Sequence, residues 1–357
     1  PASLGEADAF AEIALGPGGW TADDVQVVLG PVSLVGSLRS GAEDGWIRGD
    51  LRFGRLDLAD WLGDAGRWPL DRLGDWSEVP LSGPWPQGWT PVDLDLSGAA
   101  LTWQDLEITE PQGRLMGDAS GVVLERLSGR AMGGRLRADA RLAAGPVPDL
   151  MGQLVLTDIA LEDFLATVLR TDGITGTADL SLAVAGEGRT PAELVRSLSG
   201  AGALSVASGE IASLDLAAMD DALARRIDPI DFVDLVRRAG TSGTTGFAAI
   251  SAPLTVTEGV VTSDAISLTA GRGTGSGAGL FDLAEWEVML DLDFALFDHP
   301  DAPGFGLSLA GPPRAPLRRL RSDALQAHVA ERYADDLTEQ FGGPPEDQPP
   351  SDSSGGG

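Results

Sequence analysis

From Val288 to Leu296 the chain alternates strictly, with Val288, Leu290, Leu292, Phe294 and Leu296 on one side and Asp291 and Asp293 on the other. Successive side chains of a strand point to opposite faces, so this is a strand with one apolar and one acidic face. The same division separates Leu180, Leu182 and Val184 from Asp179 and Ser181, and Ile266 and Leu268 from Ser267 and Thr269. Asp24–Leu29, Val32–Leu38 and Trp46–Phe53 alternate likewise, with Gly30-Pro31 and Gly45 at the reversals. A meander is predicted from Val92 to Leu142, with Gly133-Gly134 as a tight turn, and further strands over Val147–Thr157 and Phe305–Ala310. Short helices are expected at Asp57–Leu62, Leu161–Leu169 and Ala192–Leu198, and a longer one at Met219–Ala239, bent near Pro229. Leu317–Phe341 reads as one amphipathic helix.

The fold class expected is mainly β: an elongated, twisted antiparallel sheet forming an apolar groove, with short covering helices and a C-terminal helix. A long sheet with one apolar face must cover it by curling, with helices or with a ligand. The predicted helices are too short to cover all of it. Four parts are expected along the chain. Residues 1–149 form an N-terminal β-groove part with a Trp/Pro-rich insert at 63–91, and residues 150–316 a second β-region with a helical insert at 219–239. The helix at 317–341 follows, and the Gly/Pro/Ser/acid tail at 342–357 is too poor in apolar groups to order itself. Aligning Leu51 with Leu154 places ALEDFL under DLADWL, a loose repeat of strand plus short helix.

Composition narrows the function. Glycine supplies 48 of 357 residues, in keeping with many turns, and cysteine is absent, which excludes disulfides, thiolate metal sites and cysteine nucleophiles. With 54 acids against 25 bases the formal charge is −29. Such a surface repels nucleic acid, so no nucleic-acid partner is expected. No apolar run is long enough for a membrane-spanning helix, and the opening Pro1-Ala2-Ser3 carries no signal peptide. The expectation is a soluble piece of a longer chain whose N-terminus holds the targeting information.

No motif for chemistry survives scrutiny. The run Gly271–Gly279 has glycine at period two rather than a phosphate-cradling loop opening a helix, and the chain has no lysine. Asp93-Leu94-Asp95 begins like a calcium loop, but Gln104 stands where the bidentate Glu belongs. The pairs Asp93/Asp95 and Asp291/Asp293 each lie on one face of one strand, as a solvated outer face requires, whereas glycoside hydrolysis needs carboxyls opposed across a sugar. His299 and His328 sit in no ligand or triad pattern. Six of the nine tryptophans fall between Trp61 and Trp103 and have three readings: packing of the insert, contact with a bilayer interface, or sugar stacking. Arg314, Arg318, Arg319 and Arg321 are the one dense basic patch; pairing with the chain's own acids, contact with anionic headgroups and contact with an acidic partner are all open.

The stretch from Thr190 to Leu283 carries a resemblance. Its pieces are Leu198-Ser199-Gly200, Gly202, Gly209-Glu210-Ile211, Leu214-Asp215-Leu216, Thr245-Gly246-Phe247, Glu258-Gly259-Val260-Val261-Thr262 and Gly277-Ala278-Gly279-Leu280-Phe281-Asp282-Leu283. In this order and spacing they resemble the C-terminal region of the AsmA-like family of bacterial envelope proteins, over roughly residues 150–311. The resemblance implies a periplasmic β-groove anchored in the inner membrane, involved in lipid traffic and outer-membrane assembly. It implies no catalytic residue, and the membrane-spanning helix with which family members begin is not in this chain.

The expected function is therefore a non-enzymatic groove that binds and conducts phospholipid between membranes and supports outer-membrane homeostasis. Its candidate lining residues are Leu180, Leu182, Val184, Ile266, Leu268, Leu290, Leu292 and Phe294. No metal or cofactor is expected. The expected partners are phospholipid acyl chains, with contact to a membrane interface and to an outer-membrane or other envelope protein as further possibilities. The rival reading is an assembly factor that engages outer-membrane proteins through strand addition; a polysaccharide-active enzyme is a third.

Overall fold

The computed structural model describes residues 7–29, 32–58, 76–81, 90–225 and 227–341. The Gly30-Pro31 reversal, most of the helix expected at Asp57–Leu62, most of the Trp/Pro-rich insert and the tail at 342–357 lie outside the described residues.

Seventeen strands form one open sheet. The first eight are β1 (Ala7–Gly16), β2 (Gly19–Leu29), β3 (Val32–Gly41), β4 (Ile47–Asp57), β5 (Val92–Trp103), β6 (Leu106–Asp118), β7 (Gly121–Ala131) and β8 (Gly134–Ala143). The next five are β9 (Asp149–Ala160), β10 (Thr177–Glu187), β11 (Ser199–Ala212), β12 (Thr244–Thr257) and β13 (Val260–Ala270). Last come β14 (Gly273–Asp282), β15 (Glu287–Leu296), β16 (Phe305–Gly311) and β17 (Leu317–Arg321). Each strand pairs with the next in sequence. At roughly 4.8 Å per strand the sheet extends about 75 Å along its hydrogen-bond direction.

All these pairings are antiparallel except β4–β5, which is parallel. A tight turn cannot join parallel neighbours, because the chain must first return along the strand. The long connection between Asp57 and Val92 makes that return, which explains why an insert interrupts the meander there.

Turn chemistry fixes the register elsewhere. Met132 and Gly133 both have positive φ, 49° and 77°, as a two-residue turn of the twist-matched type requires. The turn thus lies one residue before the expected Gly133-Gly134, and Gly134 is already paired with Ala131. Glu258 (φ 50°) and Gly259 (φ 77°) form the same device between β12 and β13.

Among the described residues, five helices border the sheet. They are α1 (Leu161–Phe164, continued by a π-helical turn, Leu165–Leu169), α2 (Pro191–Ser197), α3 (Leu216–Ala224), α4 (Pro229–Ala239) and α5 (Asp323–Phe341). Two expectations need correction. The helix predicted as bent at Pro229 is two helices, capped by the side chains of Asp215 and Asp228, and Pro229 opens the second. Proline is well suited to the first helical position, where no intrahelical N–H bond is lost. The predicted helix Leu317–Phe341 begins only at Asp323. Leu317–Arg321 instead adds to β16, and the Gln326 amide donates to the Ser322 carbonyl in the first turn of α5. The free edge of β16 offers Leu317–Arg321 a full set of backbone partners, which outweighs its helical spacing.

The core lies on one face of the sheet, along the rim where α1, α3, α4 and α5 sit. Phe232, Leu214, Met219, Leu216, Leu223 and Leu325 are at most 1% exposed. Glycines make room for this packing. A Cβ on Gly275 would lie 3.0 Å from the Phe294 ring and 3.4 Å from Leu268 Cβ. The glycine run of β14 is therefore a trough into which the side chains of the flanking strands lean. Gly275→Val should destabilise the protein by about 1–3 kcal/mol through overpacking, read as a lower urea midpoint. Gly279→Val should cost less, because its closest neighbour is the movable end of half-buried Leu290.

Candidate functional site

The inner face of the sheet can be followed residue by residue through the strand registers. One row runs Leu38, Gly49, Leu94, Leu115, Leu124, Ala140 and Gly152 across β3 to β9. It continues as Val184, Gly200, Val256, Val261, Phe281, Val288 and Gly311 across β10 to β16. Fourteen strands in succession contribute no polar side chain to it. A second row, Leu127, Ala138, Leu154, Leu182, Gly202 and Leu254, runs beside it through β7 to β12.

Among the described residues, the longer helices seal one margin of this face, and the short α2 lies at the other. Beneath α3, α4 and α5 lie Leu268, Leu292, Phe294, Leu296, Phe305 and Leu307, and the Phe294 and Phe305 rings stack at 5.3 Å. A charge clamp fastens α3 there. The buried Asp220 carboxylate accepts from Arg272 at 2.9 Å, and His299 Nε2 lies 3.0 Å from the Asp220 carbonyl. Arg332 of α5 donates to the Leu223 carbonyl at 3.1 Å.

The opposite margin carries α2, whose Pro191, Ala192, Leu194 and Val195 are buried. It also holds residues 76–81 of the β4–β5 connection. The Trp76 indole donates to the Leu283 carbonyl at 2.6 Å and meets Trp286 edge-on at 6.5 Å. Leu81 N–H donates to the Arg189 carbonyl at 2.7 Å, Ala192 N–H donates to Ser77, and Glu78 pairs with Arg196. This piece of the connection is thus tied to the ends of β10 and β14, far along the sheet from β4 and β5. For Trp76 the packing reading of the tryptophan cluster holds; Trp61, Trp68, Trp85 and Trp89 lie outside the described residues.

Between the two margins the apolar face is half-buried, and no helix among the described residues covers it. The eight predicted lining residues divide across it. Leu268, Leu292 and Phe294 are sealed under the helices, at 3%, 8% and 2% exposure. Leu180, Ile266 and Leu290 are partly buried against the same core. Leu182 and Val184 lie in the open part, where a Cβ on Gly202 would come within 3.1 Å of Leu182 Cδ1. Sequence reasoning missed the first-half contribution, Leu94, Leu115 and Leu124, and the inward glycines beside the large residues. The alternation of Val92, Leu94 and Leu96 carried the signal, but only the strand registers join it to β10 and β15.

The acid pairs occupy the outer face. Arg321 donates to Asp293 at 3.0 Å and Ser308 to Asp291 at 2.5 Å. Arg114 grips Asp93 with two bonds, 2.6 and 2.8 Å, and Arg126 lies 3.6 Å from Asp95. The Arg114 hydrogen bonds hold the Asp93 carboxyl below its usual range, with the charges of Arg114 and Arg48 adding to the effect. A depressed folded-state pKa gives stability that is present above the unfolded value, about 3.9, and is lost as pH falls through the folded one. Asp93→Asn should therefore lower stability at neutral pH and flatten its decline below about pH 4, as followed by thermal melts across pH. Among the described residues no group of three His, Cys, Asp or Glu could hold a metal ion, and no helix is long and apolar enough to cross a membrane.

Comparison with known proteins gives one match. The model of the AsmA family matches residues 64–266, more than half of the 357-residue chain. The match begins in the β4–β5 connection, well before the stretch on which the resemblance was read, and ends within β13. No curated protein and no solved structure matches.

Proposed function

We propose, from the premise that this chain belongs to the AsmA family, that its open apolar face binds phospholipid acyl chains and conducts them along the sheet. The observation that carries this reading is the row from Leu38 to Gly311, unbroken by any polar side chain. Exposing a two-chain lipid to water costs ~0.8 kcal/mol per methylene, so roughly 30 methylenes cost on the order of 20 kcal/mol. A continuous apolar track removes most of that barrier by solvation alone. The reading includes no catalysed reaction and no cofactor. It places the chain in the periplasm, as the soluble part of an inner-membrane-anchored protein that supports outer-membrane homeostasis.

Lipid analysis by mass spectrometry of gently purified protein tests it. Stoichiometric phospholipid is the expected result; protein that is folded and lipid-free, and takes up none from vesicles, would sink the proposal. A second reading has one observation of its own. β1 is an edge strand with Phe10, Ile13 and Leu15 exposed, Leu15 at 84%. Such an edge can accept another strand, as an assembly factor for outer-membrane proteins would require. Selective capture of unfolded barrel strands at β1, without lipid, would favour it.

A further inference from the structure

The two edges of the sheet differ in charge. β1 presents apolar side chains, whereas the opposite edge, β17, is Leu317-Arg318-Arg319-Leu320-Arg321. Residues 302–322 hold four arginines and no acid, in a chain of formal charge −29. Two of the arginines are committed within the protein: Arg321 to Asp293, and Arg318 to the Ser213 carbonyl at 2.8 Å. Arg314, in the β16–β17 loop, and Arg319 are exposed and have no ion-pair partner among the described residues.

Beside them lies an apolar patch on the outer face. Met289, Ala310 and Leu317 are directly paired across β15, β16 and β17. Met289 is 51% and Leu317 80% exposed. Arg319 shares this outer face, paired through Ser308. Of the nearest acids, Asp291 and Asp293 are bonded to Ser308 and Arg321, and Glu287 lies beside Met289 on the same face of β15, paired with Asp282 of β14. The acids of α5 begin at Asp323, four residues beyond Arg319, about 13 Å of extended chain and more than one screening length of about 8 Å at physiological salt.

Exposed large apolar side chains beside unpaired arginines are the composition of a surface that seats on an anionic bilayer, with apolar groups entering the headgroup boundary and arginines meeting phosphates. We infer that the outer corner of β15–β17 docks on an anionic membrane surface through Met289, Leu317, Arg314 and Arg319. The row through Val288 and Gly311 ends at this same corner, so docking brings the end of the apolar face to the bilayer. The docking itself does not depend on the lipid-conducting reading.

Co-sedimentation of the full chain with phosphatidylcholine vesicles, with and without phosphatidylglycerol, tests the inference. Binding is expected only with the anionic lipid and should fall as salt is raised. Arg314→Gln/Arg319→Gln should weaken it by about 25-fold, about fivefold per arginine, with the circular-dichroism melt unchanged. Leu317→Ser should weaken binding without changing its salt dependence. Leu182→Asp, in the open apolar face, should leave docking intact, so failure of docking and failure of lipid carriage are distinguishable. Equal binding to neutral vesicles, no binding to either kind, or full binding by the double variant would overturn the inference. Release of the chain from vesicles by an acidic peptide at constant ionic strength, with no effect of lipid charge, would assign the corner to a protein partner instead.

Discussion

Leu182→Asp is expected to abolish lipid co-purification while leaving the protein folded. Leu182 lies in the open part of the apolar face, paired with Leu154 and Gly202 and half-buried. A carboxylate there keeps enough water in the empty protein to remain charged without unfolding the sheet. Passing acyl chains would strip that water, and burying an unpaired charge costs several kcal/mol. The neighbouring Ser181→Asp places the same charge on the outer face and should change nothing. Lipid-to-protein ratios by mass spectrometry, beside thermal melts of each variant, give the readout. Wild-type lipid content in folded Leu182→Asp would remove the proposed path.

The largest loss of stability is expected at Phe294. It is 2% exposed, stacked on Phe305 and sealed below the helices on β15. Phe294→Ala removes the ring and leaves a cavity that the stacked neighbour cannot fill, at a cost of about 3–5 kcal/mol. A typical domain has only about 5–15 kcal/mol to lose, so urea unfolding should shift strongly. A loss under about 1 kcal/mol would mean that the helices do not close over this margin. By the same reasoning, Leu292→Asp should unfold this end of the sheet rather than obstruct a path through it, because Leu292 is only 8% exposed. Residues 292 and 182 share one pattern in the sequence, yet they call for opposite experiments.

That contrast marks how far the sequence could be read. Alternation of apolar and polar residues determined that Leu180–Val184, Ile266–Leu268 and Val288–Leu296 are strands with one apolar face, because side-chain direction in a strand follows from the backbone alone. It also determined that the acids at 93, 95, 291 and 293 face outward, and the family resemblance carried by Thr190–Leu283 agrees with the family match. Two local choices were misread. Leu317–Arg321 had helical spacing, and the free edge of β16 made it a strand. Pro229 was read as a bend, and the Asp228 side chain made it a helix start.

Only the tertiary structure decided what the apolar face is used for at each point. Leu182, Leu268 and Leu292 are equivalent by pattern. Whether each is core or open surface depends on where α3, α4 and α5 come to rest, and the Asp220–Arg272 pair that fixes α3 joins residues 52 positions apart. Alternation states that a face is apolar; it carries no information on what lies above it. Burial is a property of two surfaces, and the second surface comes from another part of the chain.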